Sequence, residues 1–227
     1  IFRQSAAALD WLEAYTGMPC PFDKQDFIIL PGFQFGGMEH VGATLYNDTQ
    51  LFLGPNPTPD EELRRIQLIA HETAHAWFGN LVTMDWFDDV WTKEVFANHF
   101  SAWITEPLFP SVNHKLQRMR TFFASALSED RTPGTNAIHQ ELDNLRNAGL
   151  IYGQIIYNKA PVVMGKIIEL MGEDAFREGI REYLRTYAYS NATWDDLIHI
   201  LDRHTPEDLI AFNDAWVNRK GMPIIRF

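Results

Sequence analysis

His71-Glu72-Thr73-Ala74-His75 sets two imidazoles four positions apart with an acid beside the first. On a helix, residues i and i+4 share a face, so both rings can point at one location. That spacing suits zinc, which takes nitrogen ligands at about 2.0–2.1 Å in a tetrahedral arrangement. Glu72 lies close enough to reach a water on such an ion without occupying the ion itself. A catalytic zinc needs a third protein ligand, from a carboxylate or another His. Glu94 stands 19 positions after His75, on the next predicted helix, and an antiparallel helix pair returns it to the level of the two rings. Aromatic residues bury its segment, Asp88-Asp89-Val90-Trp91-Thr92-Lys93-Glu94. Asp88 is either an acceptor for a ligand's distal N–H or a helix N-cap. His40, His99, His114, His139, His199 and His204 read as non-ligands.

The elements that must position these groups follow from periodicity and caps. Residues 3–16 carry apolar residues at helical spacing and stop at Gly17, after which Pro19 and Pro21 break the chain. Between Asp26 and Leu53 the pattern is extended: Phe27–Leu30 and Ala43–Tyr46 read as strands around a Gly-rich stretch containing Gly32, Gly36 and Gly37. Thr58-Pro59-Asp60-Glu61 is a capping box that opens a helix running through Phe78 and stopping near Gly79. A second helix covers Val90–Thr105, and later ones cover 112–128, 161–171, 174–187, 193–203 and 206–220. Thr205-Pro206-Glu207-Asp208 repeats the start signal, while Gly172 and Gly221 sit where helices should end. The polar, Asn-rich stretch 130–149 is the longest irregular piece, a length that is usually functional or mobile. A short sheet (26–53) followed by a helical body (58–221) predicts an α+β fold within one unit, 1–227.

Composition narrows the function. The 227 residues carry 19 Lys and Arg against 30 Asp and Glu, a net charge of −11, with 46% hydrophobic and 22% charged residues. This is the balance of a folded domain with a sizeable core. An acidic surface argues against nucleic-acid binding. No apolar run approaches the roughly 18 residues of a membrane span. The single Cys20 excludes an intrachain disulfide and a cysteine metal site, and leaves cytoplasmic and periplasmic or extracellular settings undistinguished. The start Ile1-Phe2-Arg3, without Met or signal peptide, leads us to expect part of a longer protein.

His71–His75 with Glu94 resembles the HExxH-x18-E signature of gluzincin metallopeptidases in the aminopeptidase N family. Gly37-Met38-Glu39-His40 resembles that family's Gly-x-Met-Glu-Asn exopeptidase motif. Gly79-Asn80-Leu81-Val82-Thr83-Met84 with Trp86 is similar to the segment after its metal helix, and Tyr157-Asn158-Lys159-Ala160 to its Tyr-x-Lys-Gly element. Trp216 with Gly221-Met222-Pro223 resembles its closing Trp…Gly-x-Pro. The match spans about residues 7–224, with the motifs in order.

The resemblance implies a thermolysin-like catalytic domain with one Zn2+ per chain, held by His71, His75 and Glu94. It implies Glu72 as the proton acceptor for water and Tyr157 as donor to the developing oxyanion, with nearby Tyr152 competing for that role. Glu39 would bind the free α-ammonium of a peptide, beside Gly37, Met38 and His40. Peptides with free N-termini are the implied substrates, and further domains of a longer protein the implied neighbours. The chain departs from the family pattern at His40 (usually Asn), at Lys93 and Val95 (more often Asn and Gly), and at Ala160 (usually Gly). These changes bear on substrate preference. They keep open an endopeptidase or other hydrolase on the same scaffold, and a zinc-stabilised binding module without turnover.

Overall fold

The computed structural model describes residues 1–222, with the backbone alone for Leu150 and Ile151, so Pro223 and residue 224 of the closing motif lie outside the described residues. Helix α1 (Phe2–Thr16) ends where Gly17 takes a left-handed φ of 68°, as its place after the apolar periodicity predicts. Strands β1 (Asp26–Leu30), β2 (Gly37–Met38) and β3 (Ala43–Asn47) form one sheet in the order β1-β3-β2. β1 lies parallel to β3, and β2 antiparallel to it at the edge. The extended pattern stops short of Leu53 because the Asn47 side chain accepts from the Thr49 N–H and caps a single turn, α2 (Asp48–Leu51).

Helix α3 (Pro59–Ala74) begins at the predicted box. The Thr58 hydroxyl accepts from the Glu61 N–H, and the Glu61 carboxylate accepts from the Thr58 N–H. Asp60, Glu61 and Glu62 meet the positive end of the helix dipole. The regular helix ends at Ala74 rather than Phe78. There the N–H groups of Ala76 and Trp77 bond three residues back, to Thr73 and Ala74 (both 3.1 Å), and the turn tightens. Gly79, at φ 126°, then reverses the chain into β4 (Val82–Met84). Helix α4 (Trp91–Thr105) follows, with Val95, Phe96 and Phe100 fully buried. Phe78 stacks on Phe96 and Phe100 at 4.6 and 4.9 Å. Burying Trp77, Phe78, Phe96 and Phe100 together is worth roughly 1.5–3 kcal/mol per side chain, which fixes α3 against α4.

The predicted helix 112–128 is α5 (His114–Arg118) and α6 (Ala124–Asp130), joined through a π-helical turn at Met119–Phe123. After α7 (Ala148–Ile151), another π turn at Ile155–Lys159 leads into α8 (Ala160–Met171). Pro161 has no N–H for the Tyr157 carbonyl, and the turn before it widens. Helix α9 (Glu173–Tyr187), β5 (Ser190–Ala192), α10 (Trp194–Asp202) and α11 (Leu209–Trp216) complete the body. The parallel pair β4–β5 is absent from the sequence reading, since each strand has three residues and no alternation. The Thr205-Pro206 signal does not start α11. Asp208 caps it instead, accepting from the Ala211 N–H, and the helix ends at Trp216, ahead of Gly221. The result is α+β, as expected: a small sheet against α3 and one core that runs from α1 through α4 to α11.

Candidate active site

The last turn of α3 carries His71, and His75 caps that helix on the same face, with their Nε2 atoms 3.2 Å apart. Glu94, in the first turn of α4, brings Oε2 to 3.5 Å from His71 Nε2 and 4.0 Å from His75 Nε2. Glu94 faces both rings, and Asn98, one turn further along α4, faces the earlier one, His71, the order of an antiparallel pair. The predicted trio therefore converges. Four ligands at about 2.0–2.1 Å from a tetrahedral ion lie roughly 3.3–3.4 Å from one another, close to these separations.

The far ring atoms agree. His71 Nδ1 donates to Asn98 Oδ1 at 3.1 Å, and His75 Nδ1 donates to the Phe78 carbonyl at 3.0 Å. Donation from both Nδ1 atoms leaves two Nε2 lone pairs facing each other, which a shared cation resolves. The donor set, two imidazoles and a carboxylate, fits zinc. A second trio, Glu39, Glu72 and His75, also lies within 4.8 Å, but Lys93 already engages its Glu39.

Asp88 fills neither role expected of it: Asn98 and Phe78 take the distal N–H groups, and Val90 precedes α4 without a side-chain cap. Its neighbour Asp89 is the buried acid, accepting from the Trp194 N–H (2.9 Å) and His139 Nδ1 (3.2 Å), where it ties α10 to the irregular stretch. Asn98 escaped the sequence reading, although its position four residues after Glu94 puts it on the ligand face of α4. The histidines read as non-ligands belong to no metal-competent cluster among the described residues.

Glu72 is buried beside the trio, and its Oε2 has no hydrogen-bond partner. Burial raises its pKa to about 7; His71 opposes this, while the charges of Glu39 and Glu94 reinforce it. Strand β2 lies directly against this carboxyl. A Cβ built on Gly37 would stand 2.5 Å from Glu72 Cδ and 2.7 Å from its Cγ. The Gly37→Ala variant is therefore expected to push Glu72 aside. A displacement of this order costs about 100-fold in rate, so kcat should fall by that much while bound metal and the circular dichroism spectrum stay unchanged.

Burial also acts on the three metal-competent groups. It would raise Glu94, but His71, with Nε2 at 3.5 Å, and the neighbouring His75 and Lys93 hold it at about 2. Burial opposes protonation of His71, yet Glu94, Glu72 and Glu39 together outweigh it and raise its pKa. Burial and the neighbouring His71 charge lower His75.

Glu39 follows β2, where Asn80 Nδ2 donates to its carbonyl at 2.8 Å. Its carboxylate pairs with Lys93 Nζ, which also lies 3.4 Å from Glu94 Oε1. Tyr157 stands in the π turn before α8, its ring 6.2 Å from that of Tyr152, and both line the cleft. Lys159 points away from them and is buried, with Nζ 2.9 Å from Asp130 Oδ2 and 3.4 Å from the Gly221 carbonyl. The cleft, about 900 Å³, is lined by Gly37, Met38, Glu39, Phe122, Tyr152 and Tyr157 together with the three metal-competent groups. His40 is exposed and lies outside this lining.

The family model described as "Peptidase family M1 domain" matches residues 2–216. The chain is 31% identical over 223 residues to the puromycin-sensitive aminopeptidase of Caenorhabditis elegans, covering 98% of this chain and 24% of that protein. It is 31% identical to the leucyl aminopeptidase of Saccharolobus solfataricus, covering 98% and 28%. It is 32% identical to aminopeptidase N of Lactococcus lactis subsp. cremoris, covering 96% and 26%. The chain thus spans about a quarter of the length of these relatives.

Proposed function

Because the chain belongs to peptidase family M1, a family of metallopeptidases, we propose that it is the catalytic unit of a zinc aminopeptidase that removes N-terminal residues from peptides. The supporting observation is the approach of His71 Nε2, His75 Nε2 and Glu94 Oε2 to within 4.0 Å of one another, with unpartnered Glu72 Oε2 alongside. The names of the relatives support the exopeptidase reading. Their greater length supports the expectation of further domains, which would add to the walls of the cleft. No described helix is long and apolar enough to cross a membrane.

Zn2+ held by His71, His75 and Glu94 would polarise the scissile carbonyl and acidify water in the cleft. Asn98 and the Phe78 carbonyl keep the two imidazoles oriented toward it. Glu72 accepts the proton of the attacking water and returns it to the departing amine, and its buried, unpartnered Oε2 is free for that proton. The Tyr157 hydroxyl, kept protonated because burial raises its pKa, donates to the developing oxyanion. Glu39 binds the α-ammonium and so sets the first peptide bond over the ligands. Gly37 and Met38, on the edge strand, offer backbone groups to the substrate chain.

Zinc content and hydrolysis of free and N-acetylated aminoacyl anilides test this reading. Stoichiometric zinc and preference for the free amine are expected; cleavage by thoroughly metal-free protein, or preference for blocked ends, would sink it. Tyr157→Phe should lower kcat about 100- to 1000-fold with KM nearly unchanged, the usual loss for one oxyanion donor. Tyr152→Phe should cost much less, and the reverse order would give Tyr152 the role.

A further inference from the structure

Glu39 already has a cation. The Lys93 stem lies in a hollow that Gly79 leaves open: a Cβ on Gly79 would meet Lys93 Cβ and Cδ at 3.3 Å. From that seat the ammonium reaches across to Glu39, with only 17% of the Lys93 side chain and 11% of the Glu39 side chain exposed. Asn80 fixes Glu39 from behind, through its carbonyl. The groups facing the Lys93 ammonium are Glu39, Glu94 and Tyr152, and those facing the Glu39 carboxylate are Lys93, His75 and Glu72. A primary ammonium on a tether thus occupies the carboxylate assigned to a primary ammonium of the substrate.

We propose that Lys93 is a specificity-determining residue, a resident counterion of Glu39 that a peptide's α-ammonium must displace. The proposal rests on the reading of Glu39 as the amine anchor. A tethered ammonium competes at an effective concentration of the order of millimolar or above, so the free amine gains less from Glu39 than it would at an unpaired carboxylate. The cleft should therefore still prefer free N-termini, but by a smaller margin than an unpaired Glu39 would give. Loss of Lys93 should restore that discrimination, mainly through KM.

The test compares the parent, Lys93→Met, Lys93→Gln, Glu39→Gln and the double variant Glu39→Gln/Lys93→Met, all metal-loaded. Two readouts are taken. One is the ratio of kcat/KM for alanine 4-nitroanilide over its N-acetyl derivative. The other is calorimetric affinity for Ala-Ala and N-acetyl-Ala-Ala in a Glu72→Gln background, where no turnover intervenes. Both Lys93 variants should raise both ratios tenfold or more, and the gain should vanish when Glu39 is Gln. If Glu39→Gln lowers the ratios while the Lys93 variants leave them flat or reduce them, the counterion proposal is overturned and the anchor stands. If Glu39→Gln changes nothing in either background, the anchor reading falls and takes the proposal with it.

Discussion

Glu72→Gln is expected to lower kcat by about 100- to 10,000-fold, the range set by loss of a positioned proton acceptor, while the protein still binds zinc. The amide matches the carboxyl in shape, so the packing against Gly37 survives, but it cannot take a proton from water. KM should change little, because Glu72 acts on the reacting water rather than on the peptide. Undiminished turnover in this variant would falsify the mechanism.

The same substitution should stabilise the metal-free protein. Burial raises the Glu72 pKa to about 7, above that of an exposed glutamate, so the folded state holds a proton that the unfolded state has released. Stability is therefore undiminished below the unfolded value near 4.5, falls as pH rises, and is lowest above about 7, where the cost reaches roughly 3 kcal/mol. Gln removes that cost. Chelator-treated Glu72→Gln should melt several degrees above the parent at pH 8 and no higher at pH 4.5. A pH-independent difference would mean that the carboxyl's charge is not its cause.

The second large effect lies at the ligands. His75→Ala or Glu94→Ala removes one of the three proposed donors, so zinc should be lost on dialysis and activity should fall to background. Asn98→Ala keeps the donors but frees the His71 ring, and should weaken zinc about 10- to 100-fold, the usual effect of an outer partner. Chelator competition separates the two classes. Melting should follow, because metal that binds only the folded chain stabilises it by about 4 kcal/mol at a thousandfold excess over Kd. The parent should gain from added zinc and His75→Ala should not; equal gains would place the ion elsewhere. Retention should also weaken in acid, as a proton on His71, whose pKa is raised, competes with the ion.

Much of the site was legible because its signals are local. The spacing of His71 and His75 needs only a helix, and the Thr58 box declares one three turns upstream. Glu94 needed one assumption more, that the next helix returns antiparallel, and the buried aromatic faces of the pair enforce this. The failures share a cause. The start of α11, the π turns and the β4–β5 pair depend on which carbonyl finds which N–H after packing, and short segments with no period do not announce that choice. Asp88 reads as an acceptor or a cap from its place before α4, whereas Asn98 meets His71 only through the register of α4 against α3.

Residue order alone determined the metal-competent residue types, their common face at α3, the acid beside them and the α+β plan, since each follows from spacing along one helix or strand. Only the folded chain decided that Gly37 presses on the Glu72 carboxyl, that Asn98 holds His71, and that Lys93 reaches Glu39. Those contacts join residues 35, 27 and 54 positions apart, and no periodicity encodes a distance across separate elements. Packing sets them, through the volume that glycine leaves empty and the charge that a buried carboxylate must find.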